Sequence, residues 1–144
     1  MTHTLSLEKE LYVPRELVFQ VWTQADHLSG WYAPIANAGC HAEVDARVGG
    51  EFLLTWTNAS ASTFVQRGEY LEIIQPEGFR CTVSLEGAYA CHVTTELDVQ
   101  LVERGSSTRI LITQSGFPTA DFRDRVRSDW VAVLQQLEVY FSQI

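Results

Sequence analysis

The sequence predicts an α+β fold: a curved antiparallel sheet of six to seven strands around a long C-terminal helix, with two short helices after the first strand. Three observations carry this. Apolar residues alternate with polar ones through much of the stretch from Gly39 to Gln114, turn residues punctuate that stretch, and from Phe122 onward apolar residues recur at three- and four-residue spacing. Residues 1–144 are expected to form one domain, since no linker, internal repeat or low-complexity stretch is visible.

The first strand is read from Leu5, Leu7, Leu11 and Val13, which alternate around Lys9 and Glu10. Pro14 then suits the first turn of a helix, where its missing N–H is no loss. From Pro14 to about Thr23, Leu17, Val18, Val21 and Trp22 fall on one helical face. Asp26 is placed to cap a second short turn, Leu28 to Tyr32, which Pro34 prevents from continuing.

Beyond Gly39 the pattern is a meander. Val48-Gly49-Gly50 reads as a tight hairpin turn between Ala42–Val44 and Phe52–Trp56, because glycine takes positive φ without a steric penalty. Asn58 to Ser62, Pro76-Glu77-Gly78 and Arg104 to Ser107 make the further turns, and Gly87 to Ala90 a softer break. Phe79, Cys81, Val83 and Leu85 share one strand face, and Arg80, Thr82, Ser84 and Glu86 the other. Val93, Thr95, Leu97, Val99 and Leu101 repeat the pattern, followed by Ile110 and Ile112. One sheet face is therefore dry and the other wet.

Thr119 can cap the last helix and Asp121 favours its positive end. Phe122, Val126, Trp130, Val133, Leu134, Leu137, Phe141 and Ile144 form the apolar stripe. At 1.5 Å per residue, the stretch from Ala120 would run about 36 Å, enough to cross the whole sheet.

Composition excludes some functions. Ten Lys plus Arg against eighteen Asp plus Glu give a net charge of -8, and Lys9 is the only lysine. Nucleic acid and anionic membrane surfaces are bound through clustered cations, so neither is an expected partner. No apolar run approaches the ~20 residues of a spanning helix, and the N-terminus lacks the basic-then-apolar pattern of a secretory signal. A cytoplasmic location is expected. Cys40, Cys81 and Cys91, odd in number and without C-x-x-C spacing, read as reduced thiols filling the core.

Chemical motifs are sparse. Cys40-His41 and Cys91-His92 each offer at most one inward ligand, because strand neighbours point to opposite faces, so no metal and no cofactor are expected. No nucleophile signature is present, and Gly49-Gly50 does not precede a helix as a phosphate loop would. No catalytic residue is assigned. Of the carboxylates, Glu43 with Asp45 reads as solvated charge, and at most one of Glu69 and Glu72 is expected to face inward.

Particular residues carry a family resemblance that spans nearly the whole chain. They are Val13-Pro14 with Val21-Trp22, Leu28 and Trp31, the run Asp45-Ala46-Arg47-Val48-Gly49-Gly50-Glu51-Phe52, and Gly68-Glu69-Tyr70-Leu71-Glu72-Ile73. Thr108-Arg109-Ile110, Gly116-Phe117, and Trp130 with Leu134 and Leu137 complete the set. On these the chain resembles the START-like (SRPBCC) superfamily and, within it, homologues of the heat-shock-protein ATPase activator. The resemblance implies a helix-grip fold with an apolar cavity between sheet and long helix.

Trp31, Tyr32, Trp56, Phe79, Phe117 and Trp130 lie on segments such a fold brings round one space, and Trp and Tyr combine area with a polar handle. The expected function is binding of a hydrophobic or aromatic small molecule, with Trp56, Phe79, Cys81, Phe117, Trp130 and Leu134 lining the cavity and Tyr32 near its mouth. One alternative is a stress-related regulatory partner of a chaperone ATPase, working through the acidic sheet face or loops or as a homodimer. The other is a cyclase or hydrolase acting on a polyketide-like substrate, for which Arg67, Glu69, Glu72 and His92 are the available ionisable groups.

Overall fold

Chain order and strand pairing together produce the sheet. In the computed structural model, which describes residues 2–33, 40–87 and 92–144, seven antiparallel strands pair in the order β1-β7-β6-β5-β4-β3-β2. They are β1 (His3–Leu11), β2 (Cys40–Val44), β3 (Glu51–Thr57), β4 (Thr63–Ile74), β5 (Gly78–Gly87), β6 (Val93–Arg104) and β7 (Ser107–Phe117). Helices α1 (Arg15–Thr23) and α2 (Ala25–Leu28) follow β1, and α3 (Ala120–Phe141) closes the chain. From β2 to β7 each strand pairs with its sequence neighbour, whereas β1 pairs with β7. The architecture is the α+β helix-grip arrangement that the periodicities and the resemblance predict.

Period two puts one apolar set of each strand on the face beneath the helices. Phe79, Cys81, Val83 and Leu85 of β5, Leu97, Val99 and Leu101 of β6, and Ile110 and Ile112 of β7 are all buried. A bulge between Tyr70 and Glu72 keeps β4 in step with β5 on both sides of it. From α3 the core receives Val126, Trp130, Val133, Leu134 and Leu137, and from α1 Val18, Phe19, Val21 and Trp22. The apolar stripe of α3 ends sooner than its spacing suggests: Ile144 is 61% exposed, beyond the last helical residue.

Helix ends follow local chemistry, with two differences from expectation. The Thr119 side chain accepts from Phe122 N–H at 3.1 Å and starts α3. Pro14 sits one position before α1, its extended ψ of 144° turning the chain into the helix. Its carbonyl accepts from Leu17 and Val18 N–H. In α2, Gln24 rather than Asp26 holds the cap position, and Asp26 lies in the first turn, where its charge favours the helix's positive end. His27 and Tyr140 share a 2.8 Å hydrogen bond that ties α2 to the end of α3, and Lys9 reaches Glu138 at 3.1 Å.

The turn at Val48-Gly49-Gly50 is wider than a tight hairpin. Residues 45–50 separate β2 from β3, and Gly49, at φ +83°, donates its N–H to the Tyr70 carbonyl at 2.9 Å. The loop is thus pinned to β4, a partner distant in sequence. The turns at Asn58–Ser62 and Gly105-Ser106 stand where the sequence puts them, Asn58 Oδ1 accepting from Ser60 and Ser62 N–H. Of the expected break from Gly87 to Ala90, Ala88 onward lies outside the described residues.

Candidate binding site between the sheet and the long helix

A chain of hydrogen bonds crosses the otherwise apolar interior. Trp130 on α3 donates its indole Nε1–H to Gln114 Oε1 at 2.8 Å, and Gln114 Nε2 donates to Thr95 Oγ1 at 2.8 Å. Thr95 in turn donates to the Val83 carbonyl at 3.1 Å. One side-chain relay therefore runs from the helix over β7 and β6 to β5. Alongside it, Tyr32 donates its phenol O–H to Gln66 Oε1 at 3.2 Å. Trp130, Gln114, Thr95, Tyr32 and Gln66 are all buried.

Two voids adjoin these bonds, each of about 20 Å³. The first lies beneath α3, with walls from Tyr32, Trp56, Gln66, Gln114, Asp129 and Trp130 among others. The second lies toward the short helices, with Trp22, Phe52, Tyr70, Phe79 and Cys81. Tyr32, Gln66, Val83 and Leu97 belong to both. A void of that size takes about one water molecule. Where the resemblance implies a single ligand-sized apolar cavity, the described residues between sheet and α3 enclose these two small voids with a common wall.

Rings fill the remainder. Tyr32 meets Trp31 at 5.4 Å, Trp56 at 6.2 Å and Trp130 at 5.8 Å between ring centroids, all edge-to-face. Trp22 meets Trp31 at 5.1 Å and Trp130 at 6.1 Å. All four tryptophans of the chain therefore join one network through Tyr32 and Trp22.

Of the seven expected lining residues, Tyr32, Trp56, Phe79, Cys81 and Trp130 stand on the walls of one void or both. Tyr32 is 5% exposed and forms the shared wall rather than an outer mouth. Phe117 and Leu134 are buried, Phe117 beside Phe122 at 5.9 Å, and neither lines either of these two voids. Sequence reasoning missed the polar wall residues Gln66, Gln114 and Asp129, and several apolar ones, among them Trp22, Phe52 and Tyr70. A signal for Gln114 existed, since it continues the inward register of Ile110 and Ile112.

The ionisable groups divide sharply. Burial, with the charges of Glu96 and Asp98, pushes the Cys81 thiol up to about 12, and burial pushes Cys40 up to about 11. Burial likewise raises the Tyr70 phenol. Neutral thiols are poor nucleophiles and ligands. The Asp129 carboxyl is also raised by burial, opposed by Arg125 one turn earlier.

Arg67, Glu69, Glu72 and His92 are all exposed. Arg67 pairs with Glu86 at 3.0 Å. The enzymatic alternative thereby loses the four groups on which it depended, and neither Glu69 nor Glu72 faces inward. His41 pairs with Glu43 and Asp45 with Arg47, each at 2.9 Å. Among the described residues no three potential ligands gather for a metal; Cys91 lies outside them. The outer face carries a polar groove of about 770 Å³, bordered by Glu43, Asp45, Arg47, Glu51, Arg67 and Glu69. No helix among the described residues is long and apolar enough to cross a membrane.

A family model described as Activator of Hsp90 ATPase homolog 1-like protein matches residues 12–142. Among solved structures, a Chromobacterium violaceum protein is similar at 27% identity and TM-score 0.84, covering 94% of each chain. A putative uncharacterized protein of Rhizobium leguminosarum has 19% identity and TM-score 0.84, over 100% of this chain and 97% of that one. A Plasmodium falciparum protein described as an HSP90 activator has 24% identity and TM-score 0.75, over 96% of each. Among curated proteins none matches.

Proposed function

The chain belongs to the Activator of Hsp90 ATPase homolog 1-like family, and from that premise we propose that it binds a small apolar or aromatic molecule between the sheet and α3. The observation that carries this reading is the pair of voids sharing Tyr32 and Gln66 as a wall. Ligand pockets typically occupy about 300–1,000 Å³. Occupancy therefore requires the Tyr32 ring to leave its place so that the two spaces join. What opposes this includes the 3.2 Å hydrogen bond to Gln66 and the edge-to-face ring contacts with Trp31, Trp56 and Trp130.

The buried relay supports the same reading. Polar groups inside a core add little net stability over apolar groups of the same shape. In a mainly apolar pocket, a few such groups orient a bound molecule. The test is an NMR titration with aromatic probes, beginning with indole. Saturable shifts at the indole N–H signals of Trp56 and Trp130 and the side-chain amides of Gln66 and Gln114 are expected. Shifts confined to the outer face, or none up to the solubility limit, would overturn the proposal.

The family description favours a second reading, regulation of a chaperone ATPase. Its working surface would be the outer groove with Glu43, Asp45, Glu51 and Glu69. Pull-down with an Hsp90-class ATPase and measurement of its turnover decide this: a stoichiometric complex with stimulated turnover supports it, and no complex rejects it. Both readings fit a cytoplasmic setting, and the second also admits a homodimer.

A further inference from the structure

We infer that the internal site selects an aromatic molecule bearing a positively charged amine, with Asp129 as its counter-ion. This rests on the internal-site reading above and adds the class of molecule. The walls of the two voids contain one acidic side chain, Asp129, and no Lys, Arg or His among the described residues. Beside Asp129, on the first void, stand the rings of Tyr32, Trp56 and Trp130. Aromatic faces attract cations through their quadrupole, and a carboxylate supplies the matching charge. Anions find no cation on these walls among the described residues, and neutral molecules form no ion pair with Asp129.

The state of the carboxyl strengthens the argument. Asp129 is half-buried and forms no ion pair within 4.0 Å with a described residue. Burial raises its pKa, while Arg125, which opposes this, is itself exposed. Asp129's own share of the desolvation that opposes a buried ion pair is therefore partly present before a ligand arrives. A cation entering beside Asp129 recovers that lost solvation. The net charge of -8 also favours the approach of cations over anions.

The experiment compares three molecules sharing an indole ring: tryptamine, with an ammonium group, tryptophol, with a hydroxyl, and indoleacetic acid, with a carboxylate. Each is titrated calorimetrically at neutral pH into the parent protein and into Asp129→Asn, whose folding is checked by thermal melting. Tryptamine is expected to bind about tenfold more tightly than tryptophol, and indoleacetic acid most weakly. In Asp129→Asn the ratio of tryptamine to tryptophol affinity should fall from about tenfold to about one. Equal affinities in the parent, or an amine advantage that survives in Asp129→Asn, overturn the inference and leave the internal site standing. Failure of all three to bind the parent rejects the site and the inference together.

Discussion

At Trp130 the ring and the indole N–H act on different partners. The ring packs against Trp22 and Tyr32, and the N–H satisfies Gln114. Trp130→Ala removes both and is expected to lower stability by about 3–5 kcal/mol. Trp130→Phe keeps most of the apolar contact but leaves Gln114 Oε1 without its donor in a buried site, at a cost of about 1–3 kcal/mol. Urea midpoints distinguish the two, and a Trp130→Phe protein as stable as the parent would show that the hydrogen bond contributes nothing. The inward direction of Trp130 was legible in the helical stripe. Its partner was legible only in part: period two carries Gln114 inward with Ile110 and Ile112, but nothing local says that its amide meets the Trp130 indole. Next to it, Asp129 has a pKa raised on folding, so the folded protein holds its proton to higher pH than the unfolded chain. Its favourable contribution is complete below the unfolded pKa and is lost as pH rises through the folded one. Asp129→Asn should therefore melt higher than the parent at neutral pH and equally at pH below the unfolded carboxyl range, which paired melts at the two pH values would check.

At the scale of elements, the sequence was most readable where a single local rule decides the outcome. Thr119 before a helical stripe is such a case, and Thr119→Ala should cost about 1 kcal/mol by leaving the Phe122 N–H without its acceptor. The strand faces followed equally well from period two. Loops and bends depended on distant partners and were read less well. The 45–50 loop takes its shape from Gly49 N–H meeting the Tyr70 carbonyl, and nothing near Gly49 in sequence announces Tyr70. Gly68 is a similar case within β4. A Cβ there would sit 1.7 Å from the Thr82 carbonyl oxygen on β5, too close to exist without separating the strands. Gly68→Ala should thus destabilise the fold by more than the Thr119 change, and hydrogen exchange should show the loss concentrated in β4 and β5. Exchange unchanged along those strands would mean that the bulge at Tyr70 absorbs the extra atom.

For the whole molecule, the alternation of residues specifies which side chains enter the interior, but not how completely they fill it. That depends on rings from α1, the segment after α2, β3 and α3 meeting through Tyr32, contacts that join residues far apart in sequence. The family resemblance led to a cavity, and among the described residues the rings border two voids of about 20 Å³. If the filled state is a closed form of a binding site, only a fraction of molecules is competent at any moment, and apparent affinity is reduced by that fraction. Removing the shared wall should then separate stability from binding. Tyr32→Ala deletes the phenol bond to Gln66 and the ring contacts with Trp31, Trp56 and Trp130, and should cost about 3–5 kcal/mol of stability. The same change joins the voids, so indole should bind the variant more tightly than the parent. Tyr32→Phe, which keeps the ring and loses the phenol hydroxyl with its bond to Gln66, should lie between them in both properties. Thermal melts and indole titrations on the three proteins give the comparison. A Tyr32→Ala protein that melts lower yet binds indole no better would identify the ring as core filling alone, and the space between sheet and α3 as closed to ligands.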